Sequence, residues 1–298
     1  MTLPVVILLD GVLYAAVLFL VAAGLTLVYG VMRILNIAHG SLYAIGAYAG
    51  TSLALAWLGR GWPAAGSSLA LVAGALAAGV ILGPLVERLL LRPIYAREEV
   101  VQLLVTFSLF LVLEDVMKLV WGVDPYYVAG PYAQLGTVVI AGVRYAWYQL
   151  LLIGVALLTG LGVALAIRRT RTGRMVVAVT ADREIATTLG IHVGRVYMLA
   201  FTVGTILAAL GGALVAPLIA VAPGMSVEAI VLAFAVVVIG GLGSLEGAAL
   251  GALIVGITRA AAVHLLPEIE LATVYLIMVA VLLFRPRGLF GELEVRRI

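Results

Sequence analysis

Residues 24–50 read GLTLVYGVMRILNIAHGSLYAIGAYAG: a long apolar run stops at Arg33, Asn36 and His39, and apolar sequence then resumes. No water reaches the hydrocarbon core of a bilayer, so irregular backbone survives there only where protein or a wet cavity satisfies its N–H and C=O groups. A polar interruption between two hydrophobic segments therefore suggests a path or a binding point. Asn36 offers donor and acceptor, His39 can do either, and Ser41 can cap a helix starting near Gly40, a residue free of the usual backbone limits. These groups either cap an interrupted backbone at the membrane edge or line a solute route. Tyr29 and Tyr43 stand beside them as possible gate aromatics or as ordinary interfacial tyrosines.

Composition fixes the solvent. The chain has 298 residues, 64% of them hydrophobic and 11% charged, with a mean hydropathy of +1.23, which excludes an ordinary soluble domain. Its 34 glycines suit helices that associate through small residues, since lipid supplies no hydrophobic drive for their packing. Without cysteine there is no disulfide framework, thiol nucleophile or thiolate metal site. Windows of about 20 apolar residues predict spans near 4–31, 40–58, 68–91, 100–121, 147–167, 196–220, 228–242, 247–265 and 271–284. The expected fold is thus an all-α polytopic membrane bundle of eight or nine crossings, a single transmembrane domain over 1–298, with 228–242 short enough to be re-entrant.

Arginine sets the orientation. If the first span runs from outside to inside, Arg33 and the arginines of 88–97, 168–195 and 285–297 gather on the inner side, and only Arg60, Lys118 and Arg144 fall outside. Cytoplasmic loops carry the basic excess, so the amino terminus is expected outside and the carboxy terminus in the cytoplasm. No basic region precedes the first apolar run and no small-residue cleavage site interrupts it, so it reads as a retained span.

The longest inner loop, 168–195, reads RRTRTGRMVVAVTADREIATTLGIHVGR. Met175, Val179, Ala186 and Leu189 recur at near-helical spacing beside Asp182, Arg183 and Glu184, which predicts an amphipathic helix outside the bilayer. Such a helix docks on a cytoplasmic partner or rests on anionic lipid.

A second break, GGLGSLEG at 240–247, would end one half-helix and start another through Gly241, Gly243 and Ser244. It mirrors the first break weakly, and the pair would set helix dipoles near the midline. Glu246 reads as an inner-side charge. Charges inside spans cost roughly 2.5–3.5 kcal/mol and need partners. Glu114 and Asp115 stand at helical spacing from Lys118, and Asp10 and Arg259, at similar depth in the outer half, are expected to pair or to share a polar cavity.

The runs LNIAHGSLYAIGAY (35–48) and GGLGSLEGAALGALIVG (240–256), with Ala178, Asp182, Ala186, Gly190 and Ile191 between them, resemble the LivH-type permeases of branched-chain amino-acid ABC transporters. The likeness covers nearly the whole chain. It implies an inner-membrane permease subunit, partnered by a homologous second permease, two cytoplasmic ABC ATPases and an external solute-binding protein. It also implies that the 168–195 loop holds the coupling helix, with Ala178, Asp182, Ala186 and Gly190 as seating positions and Arg174 and Arg183 as flanking charges.

The residues agree on one point independently. Lys118 is the only lysine, so no G-x-x-x-x-G-K-[ST] phosphate loop exists here and ATP is hydrolysed on another chain. No cofactor, metal site or nucleic-acid partner is indicated. An enzyme is disfavoured because His39, His192 and His264 fall in different loops or ends and no H-E-x-x-H or Ser-His-Asp spacing occurs. A urea or short-amide ABC permease and an ATP-independent transporter or channel share the broken-helix logic and stay open as alternatives.

Overall fold

The structure, a computed structural model, describes residues 2–140 and 142–291; Arg296 and Arg297 lie outside the described residues. The first half contains α1 (Thr2–Met32), α2 (His39–Gly59), α3 (Gly66–Val86), α4 (Glu99–Trp121) and a single turn, α5 (Gly130–Ala133). An antiparallel hairpin of β1 (Thr137–Ile140) and β2 (Val143–Ala146) leads to α6 (Trp147–Arg169), α7 (Arg171–Ala181) and α8 (Arg183–Thr188). The remainder is α9 (Val193–Val215), α10 (Met225–Gly240), α11 (Leu245–Leu265) and α12 (Glu270–Phe284). Among the described residues seven helices are long and apolar enough to cross a membrane, and α10 and α12 are shorter apolar helices. The chain is a polytopic helical membrane protein, and its apolar helices fall on the spans read from the sequence.

Two boundaries differ for local reasons. The predicted span 196–220 stops at Val215, because residues 216–224 fold into a turn: Tyr126 and Val221 exchange both backbone hydrogen bonds at 2.9 Å, and Gly224 takes a left-handed φ of 91° before α10. The single amphipathic helix expected within 168–195 is two helices. Asp182 leaves helical geometry between them, and its carboxylate accepts from the Glu184 and Ile185 amides, both at 2.9 Å, as the N-cap of α8. At the end of α3 the helix runs past Pro84 into a π turn (Glu87–Leu91) and a 3-10 turn (Arg92–Ile94). Proline removes a donor from the helical ladder, and such irregular turns recur at functional positions.

The packed centre is built from α1, α2, α3, α9 and α11, with α2 enclosed by α3, α9, α10 and α4. Small residues let the backbones meet. A Cβ placed on Gly46 of α2 would lie 2.2 Å from the Ala209 Cα of α9, and one on Gly256 of α11 would lie 2.4 Å from the Gly11 carbonyl of α1. The ends that carry Arg33, Arg88–Arg97 and α7–α8 lie together, and are called the basic end below.

Candidate functional site: a polar break inside the bundle

α1 is 31 residues long, about 46 Å at 1.5 Å per residue, against a hydrocarbon core of about 30 Å. At its basic end Arg33 turns the chain with a φ of 57°, and residues 33–38 climb back into the bundle. The depth of the climb follows from two side chains. His39 Nε2 lies 3.1 Å from the Val21 carbonyl of α1, about 16 Å along the axis from Met32. Ser41 Oγ donates to the Phe110 carbonyl of α4 at 3.3 Å, again about 16 Å from the start of that helix at Glu99. α2 therefore begins halfway across the span, which places Asn36, His39 and Ser41 in the interior rather than at the membrane edge.

The break is under-satisfied. Asn36 and His39 are fully buried, yet neither amide atom of the Asn36 side chain nor Nδ1 of His39 has a partner among the described residues. Buried polar groups are nearly always paired, and each orphan costs about 1–3 kcal/mol. Thr106 of α4 anchors the climbing segment by donating to the Leu35 carbonyl at 3.1 Å. Of the aromatics named with this break, Tyr43 is buried against α9, where its carbonyl lies 2.0 Å from a Cβ placed on Gly212. Tyr29 is half-buried on α1 under Arg33, whose guanidinium lies 6.0 Å from its ring centroid.

The second glycine break does not sit at the midline. Gly241 (φ 110°) and Gly243 (φ 85°) close α10, and Ser244 caps α11 by accepting from the Gly247 amide at 3.0 Å. The turn lies at the basic end, where Gly243 faces Gly30 near the end of α1. Leu289 and Phe290 cover it by donating their amides to the Ile239 and Gly240 carbonyls at 2.9 Å, and Glu246 pairs with Arg168 at 2.7 Å. Gly241, Gly243 and Ser244 are thus separate from Asn36 and His39. What lies near mid-depth is the other end of α10: a Cβ on Gly40 would meet the Ser226 carbonyl at 2.4 Å. The Pro223-Gly224 pair, between the predicted spans 196–220 and 228–242, was the sequence signal for that start.

Asp10 and Arg259, expected to pair or to share a polar cavity, form no ion pair with each other among the described residues, and each takes other partners. Asp10 takes His264 at 2.8 Å. Arg259, its side chain only 15% exposed, takes Glu270 of α12 and, at 3.4 Å, Glu228 of α10, and covers the Tyr14 ring at 4.2 Å. A guanidinium fork can serve two carboxylates at once, and α12 brings Glu270 closer than α1 brings Asp10. Lys118 pairs with Asp115 at 3.1 Å, whereas Glu114 turns inward to accept from Ser226.

At the basic end α7 and α8 sit on the bundle through Gly173, Val179 and Ala186. Ala186 is 1% exposed, so it seats α8 on its own chain. Ala178 is half-buried, Asp182 is the cap already described, and Gly190 ends the turn at φ 80°. Arg174, Val177, Arg183, Ile185 and Leu189 face outward, the last 73% exposed. From this outer surface contacts run inward: the Arg183 guanidinium lies 5.7 Å from the Tyr197 ring, and Tyr197 meets Tyr95 edge-on at 5.0 Å. The Tyr95 hydroxyl donates to the buried Glu87. Burial and that carboxylate hold the Tyr95 phenol well above its usual range, so it remains a donor at any working pH. Gln102 of α4 donates to the Ile94 carbonyl at 3.2 Å and the Arg97 carbonyl at 3.0 Å, one helical turn below Thr106.

Residues 7–284 match the family described as branched-chain amino acid transport system / permease component. The high-affinity branched-chain amino acid transport permease BraD of Pseudomonas aeruginosa is 30% identical, the match spanning 98% of this chain and 97% of that protein. LivH of Escherichia coli K12, a permease of the same description, is 30% identical over 97% of this chain and 96% of its own length. A probable LivH of Methanocaldococcus jannaschii is 27% identical over 96% and 92%. Among solved structures PsaBC from Streptococcus pneumoniae gives a TM-score of 0.49 at 10% identity, covering 92% of this chain and 89% of that one, a likeness too slight to support a conclusion. A helical bundle with a buried polar break, matched over nearly its full length, identifies the chain as a member of the branched-chain amino acid transport permease family.

Proposed function

We propose that this chain is the membrane-spanning permease subunit of an ABC importer for branched-chain amino acids, a single domain forming half of the translocation path. The observation that carries the reading is the half-depth start of α2, where Asn36 and His39 hold buried polar atoms that no group among the described residues satisfies. A passing polar solute or its water would satisfy them. The chain lacks a phosphate loop, so the energy arrives through protein contact. The outward residues of α7–α8, with Arg174, Val177, Arg183, Ile185 and Leu189, supply a mixed basic and apolar face suited to a groove on an ATPase. Ala178, Asp182, Ala186 and Gly190 hold that face in shape. Partners are a homologous second permease, two cytoplasmic ABC ATPases and an external solute-binding protein. The chain lies in the inner membrane with its amino terminus outside and its carboxy terminus in the cytoplasm. The BraD and LivH relatives carry the substrate class.

Reconstitution tests this reading. Vesicles holding the chain with its companion permease and ATPases, and supplied with loaded binding protein, should concentrate leucine only with ATP. Leucine accumulation by the chain alone, or ATP-driven uptake of urea in preference to leucine, would overturn it. Because the chain has no cysteine, single cysteines at Gly61 and Gly190 should label from outside and inside respectively.

A further inference from the structure

Two carboxylates in the transmembrane segments have no cation among the described residues: Glu87, held by Tyr95 at the basic end, and Glu114 on α4. Asp10 has His264, Asp115 has Lys118, and Glu228 and Glu270 share Arg259. Glu114 is 9% exposed, and its partner is the Ser226 hydroxyl in the first turn of α10. A carboxylate held in a low-dielectric interior costs several kcal/mol unless a cation and further hydrogen bonds compensate it. One hydroxyl and the positive end of a helix dipole offset part of that cost. An acid kept in a span without a cation is a functional residue by default, and its missing partner is the question.

The surroundings describe that partner. The Tyr48 hydroxyl and, one turn on, Thr51 Oγ1 are buried without a partner among the described residues. Tyr48 stacks at 5.1 Å on Trp121, which lies two helical turns from Glu114 along α4, and meets Tyr126 edge-on at 6.0 Å, so aromatic surface lies on the same side of α4 as the carboxylate. A negative charge, unpaired hydroxyls and aromatic rings together suit a small cation with several N–H donors. Depth adds an order. Trp121 Nε1 donates to Ser52 at 2.8 Å, the counterpart, nearer the far end of α4, of the Ser41–Phe110 bond, and Glu114 lies between these two levels.

We propose that Glu114 is the counter-ion for the ammonium group of the transported amino acid, met before the solute reaches Asn36 and His39. The assignment rests on the permease reading above and deepens it. A zwitterion leaving the binding protein must keep its ammonium neutralised in the dry part of the path, and Glu114 does this in exchange for its Ser226 bond. A neutral amide would gain nothing from the residue.

Glu114→Gln is the test, because glutamine keeps the shape and the acceptor for Ser226 and removes only the charge. In the assembled transporter, co-purification with the ATPase subunits should match wild type while ATP-driven uptake of radiolabelled leucine falls about tenfold or more, the scale expected when one member of a charge pair is lost. Glu114→Asp should recover part of the rate. Ser226→Ala should keep at least about a third of it, since that bond is only the residue's partner before solute arrives. Wild-type uptake by Glu114→Gln, or a loss with Ser226→Ala as deep as with Glu114→Gln, would overturn the assignment and leave Glu114 as a structural hydrogen bond. If the wild-type assembly takes up no leucine, the permease reading fails and the assignment falls with it.

Discussion

Adding one methyl group at Gly46 should do far more damage than adding one at Gly154. Gly46 stands where α2 crosses α9. A Cβ there would lie 2.2 Å from the Ala209 Cα and 2.3 Å from its carbonyl oxygen, both backbone atoms that cannot swing aside. Ordinary carbon contact needs about 3.5 Å, so the helices must part by more than an ångström along a seam that also holds Gly50 and Gly212. Overpacking of this kind costs about 1–3 kcal/mol. Gly154 on α6 has nothing within 4 Å of its would-be Cβ. There alanine lowers the entropy of the unfolded chain and should stabilise by about 0.4–1 kcal/mol. The two variants share the same chemistry and differ in sign. Thermal unfolding of the purified chain in detergent, followed by loss of the monodisperse chromatographic peak, reads both. Gly46→Ala should shift the transition down by several degrees, and Gly154→Ala should leave it level or raise it. Equal shifts for the pair would refute the packing of α2 against α9 described here.

Three further outcomes follow from the site. Asn36→Leu trades an unsatisfied buried amide, costing about 1–3 kcal/mol, for hydrocarbon of similar size; the variant should unfold no earlier than wild type yet lose leucine uptake, and full uptake would remove Asn36 from the path. Arg259→Gln strips the cation from Glu270 and Glu228 and should destabilise by about 2 kcal/mol, whereas Asp10→Asn, still able to accept from His264, should cost under about 1 kcal/mol; equal melting shifts would contradict the pairing found. Asp182→Ala removes the α8 cap, worth about 1 kcal/mol, and Asp182→Lys adds a repelling charge as well, so ATPase capture should fall from wild type to alanine to lysine while membrane insertion holds; unchanged capture in the lysine variant would exclude α8 from the docking face.

The apolar spans were legible because bilayer thickness demands about 20 apolar residues in a row, a signal no tertiary contact alters. The break at Arg33–His39 was legible for the complementary reason: polar residues between two spans must be enclosed. Its depth was not, since the sequence cannot say that α1 overruns the core and the chain climbs back before α2 starts. Partner choice was equally hidden. Arg259 and Asp10 have matching depth, and only the placement of α12 decides that Glu270 takes the guanidinium. In the same way Asp115 and Glu114 are adjacent in sequence, and helix rotation alone sends one to Lys118 and the other inward to Ser226. The amphipathic pattern of 175–189 found the surface helices but grouped Leu189 on one face with Val179 and Ala186, whereas those two pack on the bundle and Leu189 is exposed, because Asp182 restarts the helical phase at α8.

Packing and the polar break are one device. A half-depth helix start would expose unpaired backbone to lipid unless other helices closed around it. In this chain α2 is buried from His39 through Tyr48, a burial that Gly40 and Gly46 permit by letting Ser226 and Ala209 approach to within a Cβ's width. The same closeness leaves no room for Asn36 and His39 to swing toward other polar groups, so their orphaned atoms persist. Loosening the seam would therefore relieve the very groups on which the proposed path depends. A substitution at Gly46 mild enough to leave the fold intact should then still depress uptake more than stability, with no contact to solute at all.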